Sequence, residues 1–224
     1  MLESIEIETA PHPTHSIIVL HGLGADGGDF VPICDEMDLS AIGPIRFVFP
    51  HAPVMPVTLN GGHKMRAWYD IIVNDLGRHE DEAGLRQSQT AIEALIAREV
   101  ARGIPSSHIV LMGFSQGCAM TLMAGLRHPE KLAALVGLSG YLPLASTTAS
   151  ERTAANQATP IFLAHGTHDP VVQLAKGAAA RDELQRLAYL VTWHDYPMPH
   201  SVCPQEIADL TRWLIDVLSS TQTD

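Results

Sequence analysis

The chain has 224 residues, a length that predicts one domain spanning residues 1–224 with a core that needs no disulfide bonds. Its formal net charge of −11 argues against nucleic acid or anionic lipid as a partner, because both require clustered Lys and Arg. No apolar run approaches the roughly 20 residues that span a bilayer, so no integral membrane segment is expected. An acidic start without a secretory pattern, together with three scattered cysteines, predicts a cytoplasmic protein.

Short apolar segments alternate with longer amphipathic ones along the chain. Residues 3–8 alternate polar and apolar side chains, which predicts an antiparallel edge strand. The alternation favours a mostly parallel α/β sheet with helices on both faces and a site at the carboxyl ends of its strands. The predicted buried strands cover residues 16–20, 45–49, 109–112, 132–138, 161–164 and 190–193, and the predicted helices cover residues 84–102, 173–187 and 204–218.

Two segments show little periodicity. Residues 50–82 are rich in Pro, Gly and His, and a long irregular stretch inside a compact domain is typical of a functional loop. Residues 145–159 are rich in Ala, Thr and Ser. We expect this second segment to be an exposed loop without chemistry.

Residues 113–117 read Gly-Phe-Ser-Gln-Gly and lie between the predicted strand at 109–112 and a helical pattern that starts near Met120. A serine on a sharp strand-to-helix turn needs small neighbours, because its strained backbone lets other chain segments pass closely. The turn exposes the hydroxyl and directs the start of the helix toward it, where free amides stabilise negative charge. The pattern predicts that Ser115 is a nucleophile.

A serine hydroxyl needs a base to remove its proton, and the base needs an orienting acid. When the serine lies on such a turn, the acid and then the histidine follow it in the chain. Asp169 comes just after the predicted strand at 161–164, and His200 comes just before the last predicted helix. The order and positions predict a triad of Ser115, Asp169 and His200.

Two alternatives compete for these residues. Asp195 also lies between Ser115 and His200, but only five residues before the histidine, so the chain would have to fold back sharply. His165 and His168 beside Asp169 look like part of a metal site, yet no further ligands follow at matching spacing. We therefore favour Asp169 as the acid and expect no metal and no cofactor.

Acyl transfer also needs hydrogen-bond donors for the oxyanion. The amide of Gln116, directly after the serine, is one candidate. The glycine-rich turn at residues 21–25 follows an early strand, and there the amide of Leu23 can face the site. A phosphate-binding loop is the competing interpretation, but the turn lacks the Lys-Ser/Thr of a P-loop.

Together these motifs resemble the phospholipase/carboxylesterase family of α/β hydrolases, a group that includes carboxylesterases, lysophospholipases and acyl-protein thioesterases. The resemblance covers nearly the whole chain and implies an α/β-hydrolase fold with the triad and oxyanion donors named above. Cys118 departs from it, because many relatives carry glycine there; we expect tighter packing behind Ser115 with unchanged chemistry. The matching motifs are HGLGA at 21–25, DF at 29–30, FPHAP at 49–53, RAWYD at 66–70, GFSQG at 113–117, LSGY at 138–141, HGTHD at 165–169 and HS at 200–201.

The resemblance implies small or single-chain acyl esters and thioesters as substrates, with an acyl groove beside residues 54–70. Plausible apolar wall residues, each of which could equally belong to the core, are Leu23, Leu59, Trp68 and Leu142. We expect Arg66 and Asp70 to form an ion pair that braces this loop. Without a large inserted lid, the groove should be open and favour short or medium acyl chains.

The sequence thus predicts a serine carboxylesterase that forms an acyl-enzyme on Ser115 and acts on a small-molecule or single-chain lipid ester. An acyl-protein thioesterase, which removes S-acyl groups from proteins, is the alternative, since it uses the same machinery. A binding protein with dead chemistry is disfavoured because every catalytic part is present. Apolar residues at the groove edge leave a homodimer open.

Overall fold

The computed structural model describes residues 2–74 and 77–220 of the chain. Its strands, in chain order, are β1 (Ser4–Glu8), β2 (His15–Leu20), β3 (Ile45–Pro50), β4 (Val54–Val57), β5 (His63–Arg66), β6 (Ile71–Asn74), β7 (Gly77–Glu80), β8 (Ile109–Phe114), β9 (Ala134–Leu138), β10 (Ile161–Gly166) and β11 (Val191–Tyr196). Its α-helices are α1 (Ile33–Glu36), α2 (Glu82–Ala101), α3 (Gln116–Gly125), α4 (Ala145–Glu151), α5 (Leu174–Arg186) and α6 (Pro204–Ser220).

A seven-stranded sheet in the order β1-β3-β2-β8-β9-β10-β11 forms the centre of the fold. β1 pairs with β3 antiparallel, and the other neighbours pair parallel. The predicted mostly parallel sheet with an antiparallel strand at one edge is therefore confirmed. The carboxyl ends of β2, β8 and β10 lie at the same edge of the sheet, where the motifs at 21–25, 113–117 and 165–169 follow them.

Helices cover both faces of this sheet, as predicted. Ile18 and Leu20 of β2 pack with residues of α2 and α3 in one buried cluster. Ile17 and Val19 of the same strand pack with residues of α1 and α6 in a second cluster on the other face. Side chains of a strand alternate between faces, so a strand buried on both sides is apolar over most of its length. Each fully buried side chain of this kind stabilises the fold by about 1.5–3 kcal/mol.

The long predicted helices are confirmed to within a few residues at each end. Helix α2 begins where the Asp81 side chain accepts a hydrogen bond from the Gly84 amide, and it ends before Gly103, which adopts φ +96°. An acidic N-cap and a left-handed glycine after the last turn are common helix boundaries. The boundaries position the helix so that Leu85, Ile92 and Leu95 are buried beneath it.

The prediction of an irregular segment at residues 50–82 is wrong. Two antiparallel hairpins occupy it: β4 pairs with β5, and β6 pairs with β7. Their strands are only four residues long, and neither Val-Met-Pro-Val of β4 nor His-Lys-Met-Arg of β5 shows the alternation of polar and apolar residues that marks a half-buried strand. Gly61 at the tip of the β4–β5 hairpin adopts φ +65°, which a turn of this kind requires.

The prediction that residues 145–159 form an exposed loop is also wrong. Helix α4 and a 3-10 turn at Ala154–Asn156 occupy the segment, and Thr148, Asn156 and Thr159 are buried. The Asn156 amide oxygen accepts the hydrogen bond of the Leu132 amide, two residues before β9 begins at Ala134. Small polar side chains pack here because hydrogen bonds satisfy them, which composition alone does not reveal.

Candidate active site

Ser115 lies on a sharp turn between β8 and α3, with φ +57° and ψ −116°. A Cβ on Gly117 would overlap the carbonyl oxygen of Leu20, and a Cβ on Gly113 would overlap the backbone of Gly117. The glycines are therefore needed because β2 and the turn itself pass too close for side chains. A strained, non-glycine residue held by such packing is characteristic of a functional position.

Ser115, His200 and Asp169 come together at the carboxyl edge of the sheet. His200 Nε2 lies 2.9 Å from Ser115 Oγ, and His200 Nδ1 lies 2.6 Å from Asp169 Oδ2. With the proton on Nδ1, His200 donates to the carboxylate and accepts from the serine hydroxyl, which is the arrangement a general base needs. The Asp169 side chain is fully buried, so solvent does not weaken this contact.

The backbone around Asp169 fixes its orientation. Asp169 Oδ1 accepts hydrogen bonds from the amides of Val171 and Val172 at 2.8 and 2.9 Å. The Thr167 and His168 amides donate to the Tyr196 and Met198 carbonyls, which joins the acid loop to the loop that carries His200. The two chain segments, more than 25 residues apart in sequence, are thereby held as one unit.

Asp195, the alternative acid, lies in β11, where its exposed carboxylate accepts a 3.4 Å hydrogen bond from the Trp193 indole. It therefore does not reach His200. His165 does not form a metal pair with His168: its Nε2 donates to the Val172 carbonyl at 2.7 Å and lies 3.5 Å from Asp169 Oδ2. In the part of the chain that the structure describes, no group of three or more His, Cys, Asp or Glu side chains could hold a metal ion.

His165 is a residue whose contribution the sequence did not reveal. It is buried, and its hydrogen bond to Val172 tightens the same turn whose amides bind Asp169. Its ring fits against Gly177, where a Cβ would overlap it. The paired histidines in the motif at 165–169 were a signal, but they pointed to a metal and not to support of the acid loop.

Both expected oxyanion donors border Ser115. Gln116 is the first residue of α3, and Leu23 lies in the turn after β2. Among the described residues, neither backbone amide donates to a protein acceptor. The next amide, that of Gly24, donates to the Arg66 carbonyl at 2.9 Å, and Gly24 adopts φ +76°. The Leu23 amide therefore remains available to a substrate.

The turn at residues 21–25 is fixed by two buried aromatic side chains. His21 Nδ1 donates to the Gly22 carbonyl at 2.7 Å, and its Nε2 accepts from the Ala52 amide at 3.0 Å. Burial lowers the pKa of His21, which keeps the ring neutral as this pairing requires. The Trp68 indole donates to the His21 carbonyl at 2.8 Å.

A cavity of about 250 Å³ opens beside Ser115, and we call it the Ser115 cavity. Polar groups, including Asp70, Glu80 and Lys176, lie on its wall together with a larger apolar set. Two of the apolar residues are exposed to solvent, Leu59 to 43% and Val171 to 59%, so the cavity is open on their side. The apolar wall consists of Leu23, Leu59, Tyr69, Ile71, Tyr141, Val171 and Val172.

The expected wall residues divide into two groups. Leu23 and Leu59 line the Ser115 cavity, whereas Trp68 and Leu142 do not. Trp68 is only 2% exposed because it packs behind the turn at residues 21–25, and Leu142 joins the core on the α2 and α3 side of the sheet. Tyr141 takes the place expected of its neighbour Leu142.

Arg66 and Asp70 each brace the loop, but not through the ion pair with each other that was expected. Arg66 donates to the Ala52 carbonyl at 3.0 Å, while Asp70 accepts from the amide and hydroxyl of Thr58 at 2.7 and 2.5 Å. The two side chains therefore brace the segment separately. The Gln116 side chain adds a further contact, accepting from the Trp68 amide and donating to the Tyr69 carbonyl.

Cys118 fills the space behind the turn of Ser115. Its side chain lies against Gly137 and Gly140, where any Cβ would overlap the sulfur. Burial raises the pKa of the Cys118 thiol to about 12, so it stays protonated near neutral pH. The side chain accordingly acts as packing, in line with the expectation for this departure from the family pattern.

A mostly parallel sheet, a serine on a strand-to-helix turn and a histidine–aspartate pair in contact with it define a serine hydrolase of the α/β-hydrolase fold. The chain belongs to the phospholipase/carboxylesterase family, whose sequence model matches residues 2–218.

The chain is similar over nearly its full length to several acyl-protein thioesterases. Acyl-protein thioesterase 1 of Yarrowia lipolytica is 38% identical over 216 residues, which cover 94% of this chain and 95% of that protein. Acyl-protein thioesterase 1 of Mycosarcoma maydis is 40% identical over 221 residues, which cover 92% of each. The crystal structure of Arabidopsis thaliana SOBER1 matches with a TM-score of 0.85 at 31% identity, covering 91% of this chain and 99% of that one.

Within residues 2–74 and 77–220, no helix is both long and apolar enough to cross a bilayer.

Proposed function

We propose that this hydrolase cleaves the thioester that joins an acyl chain to a protein cysteine. The observation that carries the chemistry is the contact of His200 Nε2 with Ser115 Oγ at 2.9 Å and of His200 Nδ1 with Asp169 Oδ2 at 2.6 Å. The names of the relatives, which are acyl-protein thioesterases at 36–41% identity, support a thioester as the substrate. They favour this alternative over the carboxylic ester that the sequence analysis put first.

The reaction proceeds in two steps. His200 takes the proton of Ser115 as Oγ attacks the carbonyl carbon, and the amides of Leu23 and Gln116 stabilise the oxyanion. His200 then gives the proton to the departing sulfur as the carbon–sulfur bond breaks, which leaves the acyl group on Ser115. A water molecule, deprotonated by His200, attacks the acyl carbon and releases a carboxylic acid. Asp169 keeps His200 in the required tautomer throughout.

The acyl chain occupies the Ser115 cavity. The cavity's apolar wall stabilises methylene groups by about 0.8 kcal/mol for each one that is buried. Its volume of about 250 Å³ suits a short or medium chain, and the exposed side at Leu59 and Val171 lets a longer chain extend outward. The open side also leaves room for a substrate that is itself a protein.

A second candidate function is hydrolysis of carboxylic esters of small molecules or single-chain lipids. The open Ser115 cavity favours it, because a small ester can reach Ser115 without displacing any described element. The same base and oxyanion donors act on oxygen esters, with an alcohol in place of the thiol as leaving group.

Three unpaired cysteines support a reducing compartment, and we propose the cytoplasm as the place of action. Cys34, Cys118 and Cys203 are free thiols. Proteins of oxidising compartments usually pair their cysteines. We also propose that the whole chain forms one α/β-hydrolase domain, because the central sheet draws strands from residue 4 to residue 196.

A matched pair of peptides tests the substrate class. One carries a medium acyl chain on cysteine, and the other carries the same chain on serine, so that only the scissile sulfur or oxygen differs. We expect the purified enzyme to cleave the thioester with the higher kcat/KM, relative to each peptide's rate in buffer, and we expect Ser115→Ala to cleave neither. A clear preference for the serine ester would support the carboxylesterase function instead.

A further inference from the structure

A second cavity, of about 290 Å³, lies beside His200. Its wall includes Phe30, Ile33 and Phe114 together with the imidazole, and we call it the His200 cavity. The Phe114 ring lies 4.7 Å from the His200 ring and 5.8 Å from the Phe30 ring, measured between centroids. No described residue lines both this cavity and the Ser115 cavity. Phe114 and Ser115, adjacent in sequence, therefore face two different spaces.

The two spaces correspond to the two halves of a substrate. Ser115, Leu23 and Gln116 border the Ser115 cavity, so the carbonyl and its acyl chain belong there. The departing atom must take its proton from His200 Nε2, and therefore it leaves beside the imidazole. The His200 cavity is the space available on that side for the groups attached to the departing atom.

The wall of the His200 cavity carries acidic side chains but no Lys or Arg among its described residues. The carboxylates are those of Asp29 and Glu36. Neither carboxylate forms an ion pair with another described residue, although Asp29 also accepts a hydrogen bond from the Asp26 amide at 2.8 Å. The Ser115 cavity differs, because Lys176 lies on its wall beside Asp70 and Glu80.

A cavity wall that combines carboxylates with aromatic and aliphatic side chains can bind a long cationic side chain. The methylene groups of Lys or Arg pack on apolar surface while the charged end reaches the carboxylates. Phe30 and Phe114, both on the cavity wall, add aromatic rings of the kind that attract a cation. A phospholipid leaving group fits less well, because its phosphate would come close to Asp29 and Glu36.

We propose that the His200 cavity binds a lysine or arginine side chain that lies next to the acylated cysteine in the substrate. The proposal rests on the proposed function, because it assigns the leaving group of that reaction to a place on the enzyme. It makes the charge around the cysteine a determinant of which proteins are cleaved.

Three peptides with the same S-acyl cysteine test this, with Lys, Gln or Glu at the flanking positions. We expect kcat/KM to fall in the order Lys, Gln, Glu, with about a two- to fivefold step for each change, as for exposed charge pairs. Raising the salt concentration should compress the differences, because solvent-exposed charges are screened.

Charge variants locate the effect. Glu36→Gln should lower the Lys-to-Glu ratio of kcat/KM about two- to fivefold, and Glu36→Lys should reverse the preference. Asp35→Asn is the matched control: it removes the neighbouring carboxylate, which is exposed and lines a different cavity, and should leave the ratio unchanged. Hydrolysis of p-nitrophenyl acetate should be the same in Asp35→Asn as in the wild type, which shows that this control leaves the catalytic groups intact.

The outcomes separate this inference from the proposed function. Equal rates for the three peptides, with normal hydrolysis of p-nitrophenyl acetate, would overturn the cation site and leave the thioesterase function intact. Failure to cleave any of the three thioesters would overturn the thioesterase function itself. Faster cleavage of lysophosphatidylcholine than of the Lys peptide, lost in Glu36→Gln, would assign the cavity to a choline headgroup and contradict the proposal.

Discussion

The turn of Ser115 and the β4–β5 hairpin both border the Ser115 cavity, but the two regions are built differently. Around Ser115, the glycines at 113 and 117 allow backbone segments to touch, and every residue of α3 is buried. The hairpin is largely exposed, and side-chain bonds such as Thr58 to Asp70 hold it in place. Ser115 is thus held by close packing, whereas part of the cavity wall is formed by a largely exposed segment.

The largest effect should come from removing the hydroxyl of Ser115. Ser115→Ala is expected to lower kcat by at least about 10⁴-fold without unfolding the protein, because the nucleophile is lost. Adding His200→Ala should cost little more, because the triad acts as a unit. Turnover of a p-nitrophenyl ester and the circular dichroism spectrum together measure this.

Ser139→Ala provides the matched control for that variant. Ser139 also follows a buried strand, has φ +50° and is fully buried. It lies outside the Ser115 cavity, so activity should stay within about threefold of the wild type, as for substitutions that change no reacting group. An equal loss in both variants would mean that disturbance of the sheet edge, and not the missing nucleophile, explains the result.

Because the turn of Ser115 is closely packed and the hairpin is not, adding one methyl group should destabilise the protein more in the turn than in the hairpin. Gly117→Ala should lower the free energy of unfolding by about 3 kcal/mol, because its Cβ overlaps the Leu20 carbonyl. Gly62→Ala in the hairpin meets open space and should cost only about 1 kcal/mol for its φ of +79°. Urea denaturation of both variants measures the difference, and equal costs would refute the contrast.

Helix α6, which follows His200 in the chain, contains a buried carboxyl that should make the free energy of unfolding depend on pH. Glu206 is fully buried, and burial raises the pKa of its carboxyl from 4.5 to about 8. The folded state binds this proton more tightly, so the contribution is complete below pH 4.5 and is lost as the pH rises through about 8.

Glu206→Gln removes this titration. The variant should gain stability relative to the wild type between pH 5 and pH 8, on the order of a few kcal/mol at the upper end. Melting temperatures across this pH range measure the gain. A difference that stays constant with pH would show that Glu206 is ionised in the folded protein at all these values.

The smallest effect should come from the hairpin. Leu59→Ala is expected to lower kcat/KM for a medium-chain ester about two- to fivefold and to leave acetyl ester hydrolysis unchanged, because it removes apolar wall and no reacting group. Leu190→Ala, at a leucine that is 69% exposed and does not line the cavity, is the control. A loss of acetyl ester activity in Leu59→Ala would show that the hairpin also positions the catalytic groups.

The closely packed regions could be predicted from the sequence, and the exposed ones could not. The parallel sheet was predictable because strands buried on both faces are mainly apolar, as residues 17–20 of β2 and 161–164 of β10 are. Ser115, Asp169 and His200 could be proposed because strand, turn and helix surround the serine and because the chain order of the other two is constrained. The hairpins escaped prediction because strands of only four residues, such as β4 and β5, carry no alternation of polar and apolar side chains.

Individual wall residues were harder to predict, because the direction of a side chain depends on its neighbours in space. Trp68 turns to the carbonyl of His21, 47 residues away in sequence, and so leaves the cavity wall. Tyr141 and not Leu142 faces the cavity, and its hydroxyl lies 2.7 Å from that of Tyr69. Nothing in the order of these residues along the chain distinguishes the two outcomes.

In the proposed reaction, Ser115 receives the acyl group. A fluorophosphonate reacts with an activated serine, so the most direct measurement is mass spectrometry of the protein after treatment with such a probe. One adduct is expected, on the peptide that contains Ser115, and labelling should be lost in Ser115→Ala and slowed strongly in His200→Ala. An adduct on another residue, or labelling that persists in Ser115→Ala, would contradict the account.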